Sequence, residues 1–479
     1  MLSFSMMQQG VLGTSGGECG TATSVRRLIL QAIVMIGCGL GVIVVWQRLC
    51  LVSICGPEHH RDVDIHSHFT ISNDSVAISP VIAEMSIQVT AEAEEDIADT
   101  KCEPELFPSR YWTGQRLNQS AQVTDRQPGQ AMFGTIAAQR DIWRHQHPSS
   151  CENQKFLVYV MLDWETGIGS TIHVTTIALG MALETGRILV LYPTPNLSWV
   201  KGVFCEDYDT LDTCYFEPIT SCSVYDIFGG KLEKLDEIPE IDMSGNVDQS
   251  HLTVLRAHPL AIVVSWPRSI QLSVPDQFHK LLWMSGMQEN QWCHWWRAQA
   301  VAYIVRPNRR TLRELDSRRR LLFPNKAIDP GTISIHVRHG DKWKESTLVA
   351  DELYLRLAEE LLEKFPDIAT RNIFLSTEDP NSVQFFAKVT NWNVSWTNVS
   401  RVDDSTISPM EYAVRIGWTE EFLNSLLSLE LALECDAFVG MYSSNWERLI
   451  NELRSTVRCK AHFPYVDVHQ GWNISNYHS

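Results

Sequence analysis

Apolar and polar positions divide the chain into three regimes. Leu28 to Trp46 is continuously apolar, with Gln31 its one strongly polar residue and no charge. At helical rise that stretch spans roughly 28 Å, close to the hydrocarbon thickness of a bilayer. From Gly56 to about Ser150 the chain is acidic and weakly periodic, and Glu92-Ala-Glu-Glu-Asp-Ile-Ala-Asp is a solvated charge run. Beyond it, short apolar runs of strand length alternate with helical patterns to the end of the chain.

The first of these alternating blocks, about 151–325, opens with strand Phe156–Leu162. A turn through Gly167-Ile168-Gly169-Ser170 follows, then helix Val174–Leu183 and strand Arg187–Tyr192, which is a βαβ unit. Ala261–Trp266 reads as another strand and Trp292–Val305 as an aromatic-rich helix. The second block, 326–479, repeats strand and helix: strand 332–338, helix Val349–Lys364, strand Asn372–Ser376, strand Asn393–Trp396, helix Phe422–Glu434, strand Ala437–Val439 and a last helix Trp446–Leu453. Such repetition implies an α/β class with a parallel, doubly wound sheet.

Three strand ends in the second block run into polar loops: His336–Lys342, Thr377–Asp379 and Ser443–Asn445. Right-handed crossovers bring strand ends of this kind to one edge of a sheet, where ligands bind. Arg338, Asp341 and Lys342 crowd the first loop. A planar guanidinium suits a pyrophosphate, and a lysine beside a carboxylate holds a point charge or tunes a base. A solvated ion pair explains the same residues. Glycines at 167 and 169 let backbone approach a phosphate at a helix start, but also serve a plain tight turn. Ser443 and Ser444 are ordinary helix N-caps or amide donors to a diphosphate.

Charge narrows the partners. The chain has 479 residues and a formal charge of −17, which excludes nucleic acid as a partner but not a small anion held by local arginines. Twelve cysteines are widely spaced, and Cys205, Cys214 and Cys222 fall in one turn-rich stretch expected to be disulfide-braced. Cys102 and Cys151 are placed to pin the stem to the body. Six Asn-x-Ser sequons, at Asn73, Asn118, Asn196, Asn393, Asn398 and Asn473, agree with a secretory route. The expected organisation is a cytoplasmic tail (1–27), a single transmembrane anchor (28–46), a flexible lumenal stem (47–150) and two folded halves (151–325 and 326–479). A cleaved signal peptide is the alternative to the anchor. Asp207-Tyr208-Asp209 has a spacing that can hold a divalent cation against a nucleotide diphosphate, although no strand leads into it.

Three stretches carry a family resemblance. His336-Val337-Arg338-His339-Gly340-Asp341-Lys342, Asp436 to Arg448, and Gly167-Ile-Gly-Ser-Thr-Ile-His173 together resemble the α1,6-type fucosyltransferases that use GDP-fucose, the core and nodulation fucosyltransferases. Trp296-Arg-Ala-Gln through Arg306-Pro307 resembles the helix linking their halves. The resemblance implies a GT-B-like body of two facing Rossmann-like domains, an inverting transfer without a metal or other cofactor, a glycan or glycoprotein acceptor, and a type II Golgi membrane protein. It implies that Arg338 grips the β-phosphate, supported by Asp341 and Lys342. Gly167, Gly169, Ser170 and His173 close over the donor from the first half. His336, Thr377, Asp379, Ser443, Ser444 and Asn445 complete its site, and Glu345 is the base. This chain departs from the family at three places. His339 replaces a second arginine, and Ser346 stands where the family base aligns. Ser428 aligns near the family's guanine-reading acid, with Glu430 as a nearby substitute. Protein O-fucosylation, another nucleotide-sugar donor, and a catalytically inactive binder on the same fold are the alternatives.

Overall fold

In a computed structural model of the chain, the described residues are 129–161, 167–194, 197–228, 252–257, 274–324, 327–344, 346–401, 407 and 409–472. The expected anchor, the stem up to 128, Cys102, Glu345 and the expected strand Ala261–Trp266 lie outside them. Among the described residues no helix is long and apolar enough to cross a membrane.

The first half is built on β1 (Phe156–Met161), whose six residues are all buried. It lies between β2 (Ile188–Leu191) and β3 (Leu252–Ala257) in a parallel sheet of order β2-β1-β3. β3 precedes the stretch where sequence analysis placed a strand. Helix α1 (Thr135–Gln146) forms within the stretch expected as stem, with Ile136, Ala138 and Ile142 in the core. Helix α2 (Ile168–Glu184) returns from β1 to β2 and is buried on nearly every side. Its apolar positions do not segregate to one stripe, as befits a helix with packing partners all round. Helix α3 (Glu289–Ile304) starts from a reciprocal capping box between Gln288 and Gln291. Its Trp295 and Trp296 are buried, and Trp295 Nε1 donates to Phe133 O at 2.8 Å. The Cys151–Cys222 disulfide ties the start of this half to a loop 71 residues on, and Cys205–Cys214 braces the loop that holds Asp207 and Asp209.

The second half carries β4 (Ile333–Val337), β5 (Asn372–Thr377), β6 (Asn393–Ser395), β7 (Ala437–Gly440) and β8 (Tyr465–Asp467). They form an all-parallel sheet of order β6-β5-β4-β7-β8. The expected strands are present, and β8 adds a short one at the edge. Around them pack α4 (Arg309–Leu322), α5 (Asp351–Lys364), α6 (Pro380–Ala387), α7 (Pro409–Ile416), α8 (Trp418–Glu434) and α9 (Asn445–Ser455). Arg318 joins α4 to α8 through Glu420 at 2.7 Å. One hydrophobic core runs through both halves, because α2, α3 and α9 pack against one another. A second core fills the other face of the larger sheet. This three-helix packing sets the start of α2 beside the start of α9.

Candidate active site

The strand order makes β5, β4 and β7 neighbours, so the three polar loops lie side by side at their carboxyl ends. At the end of β4, the Arg338 guanidinium is clamped by two carboxylates. Nη2 donates to Asp341 Oδ1 at 2.5 Å, and Nη1 donates to Glu378 Oε1 at 2.6 Å and to His339 O at 2.8 Å. Burial alone would lower its pKa, but Glu378 and Asp341 more than reverse that, so Arg338 is a fixed cation. Both Nη1 protons are engaged, leaving Nε and the second Nη2 proton for an anion. Asp341 therefore orients the arginine. Glu378, which sequence analysis passed over, is its second anchor, although it lies inside the strand-end tetrapeptide Thr377-Glu378-Asp379-Pro380. Lys342 is buried and donates to Ser443 O at 3.3 Å, joining the β4 loop to the β7 loop.

His339 and Asp379 form a second pair. His339 Nδ1 meets Asp379 Oδ2 at 2.8 Å, and Nε2 meets Val349 O at 2.7 Å. The other Asp379 oxygen accepts from Asn381 N at 2.8 Å as the N-cap of α6. Each carboxylate oxygen thus has a partner in the fold, which gives Asp379 a capping and anchoring role there. Thr377 closes β5. Its Oγ1 accepts from Asp379 N at 3.1 Å and its carbonyl accepts from Arg401 Nε at 3.0 Å.

His336 points into the protein. It is buried, with Nδ1 3.2 Å from Glu447 Oε2, too oblique for a straight hydrogen bond. Burial pushes the Glu447 carboxyl up, and the nearby His336 ring opposes that shift. A Cβ on Gly440 would sit 2.0 Å from the Glu447 carboxyl carbon, so this pair requires glycine at the end of β7. His336 is therefore an inner support for the loop, not a group on the open edge.

The glycine turn meets the last loop directly. Gly167 is the N-cap residue of α2 and has open space around its missing side chain. A Cβ on Gly169 would lie 2.9 Å from the Asn445 carbonyl carbon, so glycine there permits the two helix starts to touch. Asn445 Nδ2 donates to Ser170 Oγ at 2.6 Å, and Asn445 Oδ1 lies 3.0 Å from His173 Nδ1. The second His173 nitrogen faces Glu452 at 2.9 Å, so this ring also turns inward. Ser444 is the buried N-cap of α9, and Ser443 is exposed beside it. The starts of α2 and α9 thus converge next to the Lys342 and Ser443 contact. Free amides and the positive ends of two helix dipoles make that convergence suited to an anion.

Other expected residues lie elsewhere. Ser428 Oγ is 2.9 Å from Ser376 Oγ, facing β5. Glu430 is buried two residues further along α8. Two residues make a rotation of roughly 200° on a helix, so Glu430 does not stand in for the Ser428 position. Asp207 and Asp209 are exposed on the disulfide-braced loop.

A family model described as alpha-(1,6)-fucosyltransferase N- and catalytic domains matches residues 90–467. Among solved structures, the chain is similar to fucosyltransferase NodZ from Bradyrhizobium at 13% identity and a TM-score of 0.34, over 62% of this chain and 93% of that one. It is similar to a mutant of Arabidopsis thaliana FUT1 in complex with GDP at 11% identity and a TM-score of 0.38, over 75% of this chain and 85% of that one. POFUT1 in complex with GDP matches at 10% identity and a TM-score of 0.27, over 64% of this chain and 96% of that one. The match of the family model over most of the chain shows that this protein belongs to the alpha-(1,6)-fucosyltransferase family of glycosyltransferases.

Proposed function

We propose that the chain transfers L-fucose from GDP-fucose to a glycan hydroxyl, on an N-glycan in α1,6 linkage, by inverting displacement at fucose C1. One observation carries this reading: the starts of α2 and α9 converge beside Arg338 and Lys342, all at the carboxyl edge of two parallel sheets. A leaving diphosphate gains negative charge in the transition state, so fixed donors aimed at it lower the barrier without rearranging. Arg338 offers its remaining N–H groups to the β-phosphate, while Asp341 and Glu378 hold its plane. Lys342, the α2 amides at Gly169 and Ser170, and the α9 amide at Asn445 surround the same charge. The acceptor hydroxyl loses a proton as it attacks, and Glu345 is our candidate to take it. These basic groups and amides neutralise the diphosphate without a metal ion. Supporting a type II Golgi protein are the apolar stretch Leu28–Trp46 and the two disulfides, which suit an oxidising lumen.

A specific feature favours a second reading. Two carboxylates already compensate Arg338, which weakens its pull on an anion and suits a nucleotide-binding protein without turnover. One experiment separates the two. Full-length protein in detergent, from a secretory host, is given GDP-fucose and a mixed N-glycan pool with EDTA, and GDP release and glycan mass are followed. A mass gain of one fucose that disappears in Arg338→Ala supports transfer. GDP binding without transfer to any glycan supports the second reading, and absence of GDP binding sinks both.

A further inference from the structure

Beneath the two helix starts lies a buried relay of polar groups that the proposed chemistry does not use. Glu452, fully buried on α9, sets Oε2 2.9 Å from His173 Nε2 on α2 and Oε1 3.6 Å from Arg297 Nε on α3. His173 Nδ1 stands 3.0 Å from Asn445 Oδ1, and Asn445 Nδ2 donates to Ser170 Oγ at 2.6 Å. On the other side, Arg297 Nη2 donates to Tyr442 OH at 3.3 Å, and His294 Nδ1 meets that hydroxyl at 3.1 Å. The contacts therefore cross all three helices on which the two halves meet.

A carboxylate sealed from water is costly unless cations compensate it. Burial alone would raise the Glu452 carboxyl, yet His173 and Arg297 outweigh it and hold the group below its ordinary range. The charge fixes the imidazole, because Nε2–H must point at it. The Asn445 amide sets its Oδ1 toward His173 Nδ1 and its NH2 toward Ser170. Close packing of Gly169 on the Asn445 backbone leaves no slack between the helix starts.

We propose that Glu452 is a positioning residue for the donor: through His173 it fixes the Asn445 amide, and through Asn445 it clamps the start of α2 to the start of α9. Glu452 touches no substrate. Its effect is to preassemble donors that would otherwise have to be ordered when the diphosphate binds, which lowers the cost of binding. The donor role rests on the function proposed above, whereas the clamp itself is a property of the fold.

The test uses full-length Glu452→Gln, which keeps the side chain's size and removes its charge. Hydrogen exchange is read at the amides of Thr171 and Arg448, which bond to Gly167 O and Ser444 O at the helix starts. GDP affinity is measured alongside, in a double-mutant cycle with Ser170→Ala. We expect faster exchange at both amides with β4 and β5 still protected, GDP affinity lower on the order of tenfold, and strong non-additivity with Ser170→Ala. A role in packing alone gives additive effects, because residues without a shared network behave independently. Unchanged exchange at both amides in folded Glu452→Gln, or an additive cycle, overturns the proposal. Should that variant not fold, His173→Gln breaks the same link from α2 and is read in the same way. Faster exchange in a protein whose wild type fails to bind GDP upholds the clamp and overturns its donor role.

Discussion

His339 stands where the family resemblance leads one to expect a second arginine, yet the fold keeps it cationic, and that charge can be measured. Nδ1 lies 2.8 Å from an Asp379 oxygen and Nε2 2.7 Å from the Val349 carbonyl, so both nitrogens face acceptors and both donate. Burial by itself would lower the pKa of the ring. The Asp379 hydrogen bond, the Val349 carbonyl and nearby Asp351 reverse that effect and raise it to about 9 from an ordinary 6.5. The folded value lies above the unfolded one. The proton's contribution to stability is therefore fully present below about pH 6.5 and is lost as pH rises through about 9. At roughly 1.4 kcal/mol per unit the whole shift is worth about 3 kcal/mol. Solvent screening of a pair with 11% and 13% side-chain exposure trims this to about 2 kcal/mol. Urea denaturation of wild type and His339→Asn at pH 6.5 and pH 9 is the assay. Glu421, whose carboxyl burial pushes up to about 8, also reduces stability as pH climbs toward 8, so the readout is the difference between the two proteins. We expect the variant to be about 2 kcal/mol less stable at pH 6.5 and nearly equal to wild type at pH 9. A constant gap across that range would refute the argument, since the lost interaction would then not depend on the proton.

Other consequences follow from named contacts. Gly440→Ala places a methyl group against the buried Glu447 carboxyl, displacing it from His336, and is expected to cost about 1–3 kcal/mol in chemical denaturation. Adding Glu447→Ala should recover part of that loss, whereas strictly additive costs would show that the crowding is not with Glu447. Removing the Cys151–Cys222 bridge with paired serines frees a 71-residue loop in the unfolded chain, and a loss of about 2–4 kcal/mol is expected by the same method. Arg338→Ala should reduce kcat/KM for GDP-fucose on the order of 100-fold or more through loss of transition-state charge stabilisation. An effect confined to the acceptor KM would remove Arg338 from the phosphate site.

What was legible in the sequence follows from which signals survive burial. The strands of the larger sheet stand out as short β-branched runs, and their polar exits at Arg338, Thr377 and Ser443 mark one sheet edge. Helix α1 was hidden because its buried face is partly polar. Gln139 and Gln146 occupy core positions at helical spacing, where Gln139 Nε2 donates to Gln299 O at 2.8 Å. Gln146 pairs with the Leu189 backbone through both ends of its amide, 3.1 Å each, much as a neighbouring strand would. A hydrophobic period cannot reveal a face whose burial is secured by hydrogen bonds. At three residues, β8 is too short for any period to register.

The candidate site was legible at the level of loops and not at the level of side chains, and the reason is long-range pairing. The family resemblance placed His173, His336 and Asp379 on the donor. In the fold each is turned toward a partner distant in the chain: Glu452 lies 279 residues from His173 and His339 lies 40 from Asp379. The partners Glu378, Glu447, Glu452 and Arg297 sit in helices or loops where a charge usually reads as solvent-facing. A charge on a helix that also carries the core is the one available signal. Arg297 follows Trp295 and Trp296, and Glu452 lies between Ile450 and Leu453, so solvation on those faces would require the flanking apolar residues to be exposed. They are buried. Glu452 therefore has to find compensation inside the fold, and it does so on the other two helices: His173 lies at 2.9 Å and Arg297 at 3.6 Å. These pairs add to the core packing of the same three helices, on which the two halves meet.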